Sequence, residues 1–126
     1  MNTLLGIDFG KRKVGLAISS GSVAVPLVIL ENNIGMMDEL KKIIEQEKIV
    51  KIILGLPTGL QNQTTQATEE VLVFQKDLEN NIDIPVETFD ERLTSQQAQR
   101  MGSGSQDDAH AAALVLQSYI DGNVSI

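Results

Sequence analysis

Three acidic side chains, Asp8, Glu91 and Asp108, lie far apart in the chain, each where an element of structure begins or ends. Asp8 interrupts the apolar run Thr3-Leu4-Leu5-Gly6-Ile7-Asp8-Phe9-Gly10. A run this short and this apolar reads as a strand buried on both faces at the centre of a sheet. An unpaired carboxylate there costs several kcal/mol, so Asp8 calls for a cation, either Arg, Lys or a metal. Acids brought together repel, and their pKa values are driven apart unless cations intervene. The chain has no cysteine, so the donors are oxygens, which select hard ions, Mg²⁺ or Mn²⁺. Two such ions about 3.5–4 Å apart activate a water and stabilise the leaving oxygen in phosphodiester cleavage. Convergence of Asp8, Glu91 and Asp108 would therefore make a two-ion hydrolytic centre in which the acids are metal ligands.

Each acid also has a plainer reading. Asp107 and Asp108 suit the start of a helix, where the dipole favours carboxylates, and Ser105-x-x-Asp108 has the form of a capping box. Glu91 can pair with Arg92 or Lys13 on the surface. Asp8 is harder to explain away, because it sits in a central strand. Among the cations, Lys11, Arg12 and Lys13 follow Asp8 directly and are candidate phosphate contacts. Arg92 is better suited still, because a planar guanidinium matches phosphate oxygens. His110 is the only histidine; two residues beyond Asp108 on a helix, it points away from that acid and reads as structural. Thr94 and Ser95 read as helix caps, and Thr58 to Thr65 as a polar loop beside the site.

The elements that must position these groups follow from periodicity. Thr3–Gly10, Lys13–Ser19 and Val23–Leu30 read as three strands with short connections, an antiparallel meander. Pro26 places the third at an edge, since proline cannot donate to a ladder. Met37, Leu40, Ile43 and Ile44 then recur at helical spacing within Met36–Glu47. Val50–Leu54 is a fourth strand, ended by Gly55-Leu56-Pro57. Ala67, Val71, Phe74 and Leu78 form the buried stripe of a second helix ending at Asn80-Asn81, and Pro85–Phe89 is a fifth strand. Thr94-x-x-Gln97 opens a short helix that stops at Gly102, and Asp107–Ile120 is the last. The order βββ-α-β-α-β-α-α predicts an α/β fold: a mixed five-stranded sheet flanked by helices, with strands one, four and five parallel. Asp8, Gly55-Leu56-Pro57 and Asp90-Glu91-Arg92 would then share one rim, where open α/β sheets carry their sites.

The 126 residues, 42% of them hydrophobic, suffice for one domain, 1–126, with a core of Leu, Ile, Val and Ala. No stretch is long enough to span a bilayer and no leader is evident, so a cytoplasmic protein without a membrane partner is expected. A net charge of −7 argues against a general nucleic-acid coat, whose affinity comes from neutralising many phosphates. It leaves room for an enzyme that meets one phosphate through divalent metal.

Taken in order and spacing, Gly6-Ile7-Asp8-Phe9-Gly10 with Val14-Gly15-Leu16-Ala17, Gly55-Leu56-Pro57, Asp90-Glu91-Arg92-Leu93-Thr94-Ser95, and Asp108 through Tyr119 resemble the YqgF (RuvX) family. The resemblance implies a ribonuclease H-like fold related to Holliday-junction resolvases. It also implies a metal-dependent nuclease that trims the 5′ end of precursor 16S rRNA in ribosome biogenesis. The family's catalytic acids fall on Asp8, Glu91 and Asp108. Two features depart from its pattern: Gly102–Gln106 is short and uncharged where relatives carry a longer basic loop, and Gln61-Asn62 replaces an Asp-Gly turn. Two other nucleic-acid readings remain, a resolvase acting on branched DNA as a symmetric homodimer and a non-catalytic nucleic-acid- or nucleotide-binding module. The Gly-Ile-Asp-Phe-Gly hairpin also occurs in actin-like sugar kinases, but those have two such domains.

Overall fold

The computed structural model describes residues 2–56, 66–90 and 108–123. Strands β1 (Thr3–Phe9), β2 (Lys13–Ser20) and β3 (Val23–Glu31) form the expected antiparallel meander. Gly21, at φ 64°, makes the turn between β2 and β3, a left-handed conformation that glycine enters without steric cost. Helix α1 (Met36–Gln46), strand β4 (Ile49–Leu56), helix α2 (Gln66–Asn81), strand β5 (Val86–Asp90) and helix α3 (Asp108–Asn123) follow. The sheet order is β3-β2-β1-β4-β5, with β1 parallel to β4 and β4 parallel to β5. Pro26 lies on the edge strand β3, as its missing N–H requires.

Some boundaries differ from the reading of the sequence, and α3 runs on to Asn123, three residues past Ile120. Gly55 and Leu56 continue β4 instead of ending it, because β5 offers Phe89 and Asp90 as ladder partners. The short helix expected over 94–102 lies outside the described residues, as do the loop 57–65, the link 102–106 and Asp107.

Strand alternation divides the core into two layers. On one face Leu5, Ile7, Val14, Leu16, Ile52 and Leu54 meet Met36 and Leu40 of α1 and Val71, Phe74 and Leu78 of α2. Phe9 continues this face and stacks on Phe74, with ring centroids 4.4 Å apart. On the other face Ala17 and Ile53 meet Ala112, Ala113, Val115, Leu116 and Ile120 of α3. This second layer is closest where small residues meet, Gly6 and Ala17 against Ala112 and Ala113. The closest approach is at Gly6, where a Cβ would stand 2.8 Å from the Leu116 Cβ and 3.0 Å from the Ala112 carbonyl oxygen.

Polar contacts fix the C-terminal half of α3. The Lys51 ammonium lies 2.6 Å from Glu87 Oε1 and donates to the Tyr119 hydroxyl at 2.7 Å. Tyr119 in turn donates to Glu87 at 3.4 Å and takes the Phe89 ring edge-on. Across the sheet, Gln117 accepts from the Ala24 N–H at 2.8 Å and donates to the Ser22 carbonyl at 3.0 Å. The hydrogen bond to Glu87, then that to Tyr119, raises the Lys51 pKa above its ordinary range.

Two outcomes are expected. Leu54 is fully buried, so Leu54→Ala should lower unfolding free energy by about 2–5 kcal/mol in urea titration, through lost transfer energy and a residual cavity. The Lys51 pKa is higher folded than unfolded, so its stabilisation is complete below about pH 10.4 and fades as pH rises through the folded value. The melting-temperature gap between the wild type and Lys51→Met should therefore stay constant from pH 7 to 9 and narrow above about 10.4. A gap that closes near neutrality would contradict the clasp.

Candidate active site

The parallel pairs bring three strand ends to one edge of the sheet. Ile7 lies beside Leu54, and Leu56 beside Asp90, so the ends of β1, β4 and β5, with Asp8 and the Asp90 backbone, lie along the same rim. Glu91 and Arg92 follow Asp90 in the chain and lie outside the described residues. Asp8 is the penultimate residue of β1, opposite Gly15 of β2, and is half-buried. Two residues beyond Gly6, it shares the face on which α3 packs.

The third acid is brought in by the direction of α3. Tyr119 reaches Lys51, which pairs with Leu4 near the amino end of β1, and Gln117 reaches the start of β3. The C-terminal half of α3 thus lies over the amino ends of the parallel strands, while Ala112 crosses Gly6. The helix therefore runs antiparallel to β1, and its first residue, Asp108, starts at the rim that carries Asp8. A helix N-terminus also brings its partial positive charge to that rim, which favours carboxylates and phosphate. His110 is half-buried on α3, two residues inside this end.

The turn from β1 to β2 is shaped by contacts that sequence reasoning missed. A Cβ on Gly10 would stand 2.6 Å from the Lys13 carbonyl oxygen, so the turn closes only around glycine. Asn32, just beyond β3, donates through Nδ2 to the Gly10 carbonyl at 2.7 Å and through its N–H to the Arg12 carbonyl at 2.9 Å. The signal available was the polar Asn32-Asn33 pair after an apolar strand, which reads only as a loop without its partner. The turn holds Lys11, Arg12 and Lys13 out to solvent beside Asp8. Lys11 makes a loose ion pair with Glu70 at 3.9 Å, a contact open to water and weak for that reason. Two adjoining clefts of about 400 and 260 Å³ open on the Phe9 face, opposite the face carrying Asp8.

The carboxylates expected from the sequence, Asp8, Glu91 and Asp108, would form an all-oxygen donor set of the kind that suits a hard divalent cation. Among the described residues no three acidic or histidine groups stand close enough to hold a metal. Of the expected trio only the Asp8 side chain lies within the described residues; for Asp108 the helix backbone alone is described. Among the described helices none is long and apolar enough to cross a membrane.

Comparison with known proteins supplies the family. The chain is 36% identical over 130 residues to a protein of Maridesulfovibrio salexigens named "Putative pre-16S rRNA nuclease", covering 93% of this chain and 96% of the relative. A protein of the same name from Rickettsia canadensis is 32% identical over 131 residues, covering 94% of this chain and 85% of the relative. Among solved structures, Thermus thermophilus RuvC in complex with a Holliday junction superposes with a TM-score of 0.60 at 12% identity, covering 98% and 96% of the two chains. That likeness establishes the fold, the ribonuclease H-like arrangement of the RuvC-type resolvases. The family model described as "RuvX: Holliday junction resolvase" matches residues 2–122, and the chain belongs to the RuvX family.

Proposed function

We propose that this chain is a metal-dependent nuclease, one ribonuclease H-like domain over 1–126, that trims the 5′ end of precursor 16S rRNA. The nuclease class follows from membership of the RuvX family and from the names of its relatives. One observation carries the site assignment: the carboxyl ends of β1, β4 and β5 and the first turn of α3 meet at one rim. Asp8, Glu91 and Asp108 are the acids assigned there, and they would hold Mg²⁺ or Mn²⁺ in an all-oxygen set suited to two ions. When bound, such ions supply Lewis acidity that lowers the pKa of water and offsets charge on the leaving oxygen.

The protein's own side chains orient the substrate. Lys11, Arg12 and Lys13, in the stretch that Asn32 fastens at Gly10 and Arg12, are the candidate contacts for substrate phosphates, and Arg92 is a further one by the chemistry of its guanidinium. With a net charge of −7 the rest of the surface repels nucleic acid, so binding is confined to this rim. RNA is preferred to branched DNA as substrate, because the relatives at 32% and 36% identity carry the rRNA name, whereas the junction-bound neighbour is 12% identical.

The test is cleavage of precursor 16S rRNA and of a four-way DNA junction in parallel, with Mn²⁺, by the wild type and Asp8→Asn. Several kcal/mol of charge stabilisation depend on the acid, so RNA cleavage should fall by more than about 10²-fold while the melting temperature holds or rises. Undiminished cleavage by Asp8→Asn would reject the site, and cleavage of the junction alone would reject the RNA substrate. Replacing Lys11, Arg12 and Lys13 together by Ala should raise KM and flatten its salt dependence, by about 0.7 in log–log slope for each phosphate left without its cation. An unchanged salt slope would remove the turn from the substrate path.

A further inference from the structure

Gly6 and the cluster of Lys51, Glu87 and Tyr119 belong to no chemistry assigned above, yet together they determine where α3 sits. Gly6 sets its height above the sheet. With 2.8 Å from a notional Cβ to the Leu116 Cβ, and 3.0 Å to the Ala112 carbonyl, neither neighbour can swing away, because one is a side-chain root and the other backbone. Any side chain at position 6 lifts the helix from β1 at a point one turn from Asp108 and two residues from Asp8. Tyr119 sets rotation and axial position from the other end. It is held by Lys51 and Glu87 on the β4–β5 side, while Gln117 is held by Ala24 and Ser22 on the β3 side. A rigid helix fastened on both flanks and seated on a glycine has little freedom left at its first turn.

We propose that Gly6 and Tyr119 are positioning residues for the metal site. Gly6 fixes the separation between the strand that bears Asp8 and the helix that bears Asp108, and the Tyr119 clasp fixes the helix's rotation. The assignment rests on the nuclease reading above, and it explains why a glycine occupies the middle of a central strand, where it otherwise weakens the sheet. A misplacement of about 1 Å in a reacting constellation costs on the order of 10²-fold in rate.

The experiment measures Mn²⁺ binding by calorimetry without nucleic acid, together with kcat, KM and melting temperature, for Gly6→Ala, Tyr119→Phe and Asp108→Asn. Gly6→Ala should weaken Mn²⁺ binding and lower kcat on the order of 10²-fold with KM little changed. Tyr119→Phe, which keeps the ring and loses only the hydroxyl, should move both in the same direction by less, so the idea stays testable if Gly6→Ala fails to fold. Adding Asp108→Glu to Gly6→Ala should recover part of the loss, because a longer carboxylate spans the widened gap, although Asp108→Glu alone lowers activity. Variants that lose only melting temperature, with Mn²⁺ binding and kcat intact while Asp108→Asn is inactive, would overturn the positioning role. Full activity in Asp108→Asn would instead overturn the nuclease site itself.

Discussion

The seating of α3 on β1 is the contact on which the arrangement of this protein depends. Helices usually pack on sheets through medium or large side chains, which keep the two backbones well apart. Here the strand offers Gly6, and Ala17 lies on the neighbouring strand beside it, while the helix offers Ala112 and Ala113. Backbones therefore approach until a carbonyl and a Cβ close the space over Gly6. Such a contact gives up hydrophobic area in exchange for definite height. A contact between small residues is easily sheared, and the polar grips of Gln117 and Tyr119 at the far end resist that.

The opposite layer follows a different logic. Leu5, Ile7, Leu16, Ile52 and Leu54 are fully buried beneath α1 and α2, and most of the large apolar side chains collect there. At about 25 cal/mol per Å² of apolar area, this is where the bulk of the driving force for folding arises. The division separates two demands on one strand. Leu5 and Ile7 point into the layer beneath α1 and α2 and anchor β1, while Gly6 and Asp8 point the other way toward the α3 layer and the rim. Strand alternation alone permits this, because neighbouring residues face opposite sides.

The hairpin that follows is fixed with equally few contacts. Gly10 turns the chain beside Asp8, and Asn32 ties the turn back through two hydrogen bonds. A basic triplet at an unsupported turn would sample many directions. Fastened at Gly10 and Arg12, the backbone under Lys11, Arg12 and Lys13 has a defined course, so its cations are kept near the rim where an anionic chain would be met.

Much of this architecture is legible in the sequence. Apolar runs and periods mark the five strands and the first two helices, and alanine and leucine content marks α3. Pro26 marks an edge, and an acid inside a central strand marks Asp8 as anomalous. These signals are local, carried by neighbours within a turn or a strand. What the sequence could not reveal depends on contacts between residues far apart in the chain. Continuation of β4 through Gly55 and Leu56 requires Phe89 and Asp90 alongside. The role of Asn32 needs a carbonyl 22 residues earlier, and that of Tyr119 a lysine 68 residues earlier. Gly6 reads as part of a motif, and its reason becomes visible only with Leu116 above it. One-dimensional order reports what each residue prefers; which partner meets that preference is decided when the sheet closes and the last helix comes down on it.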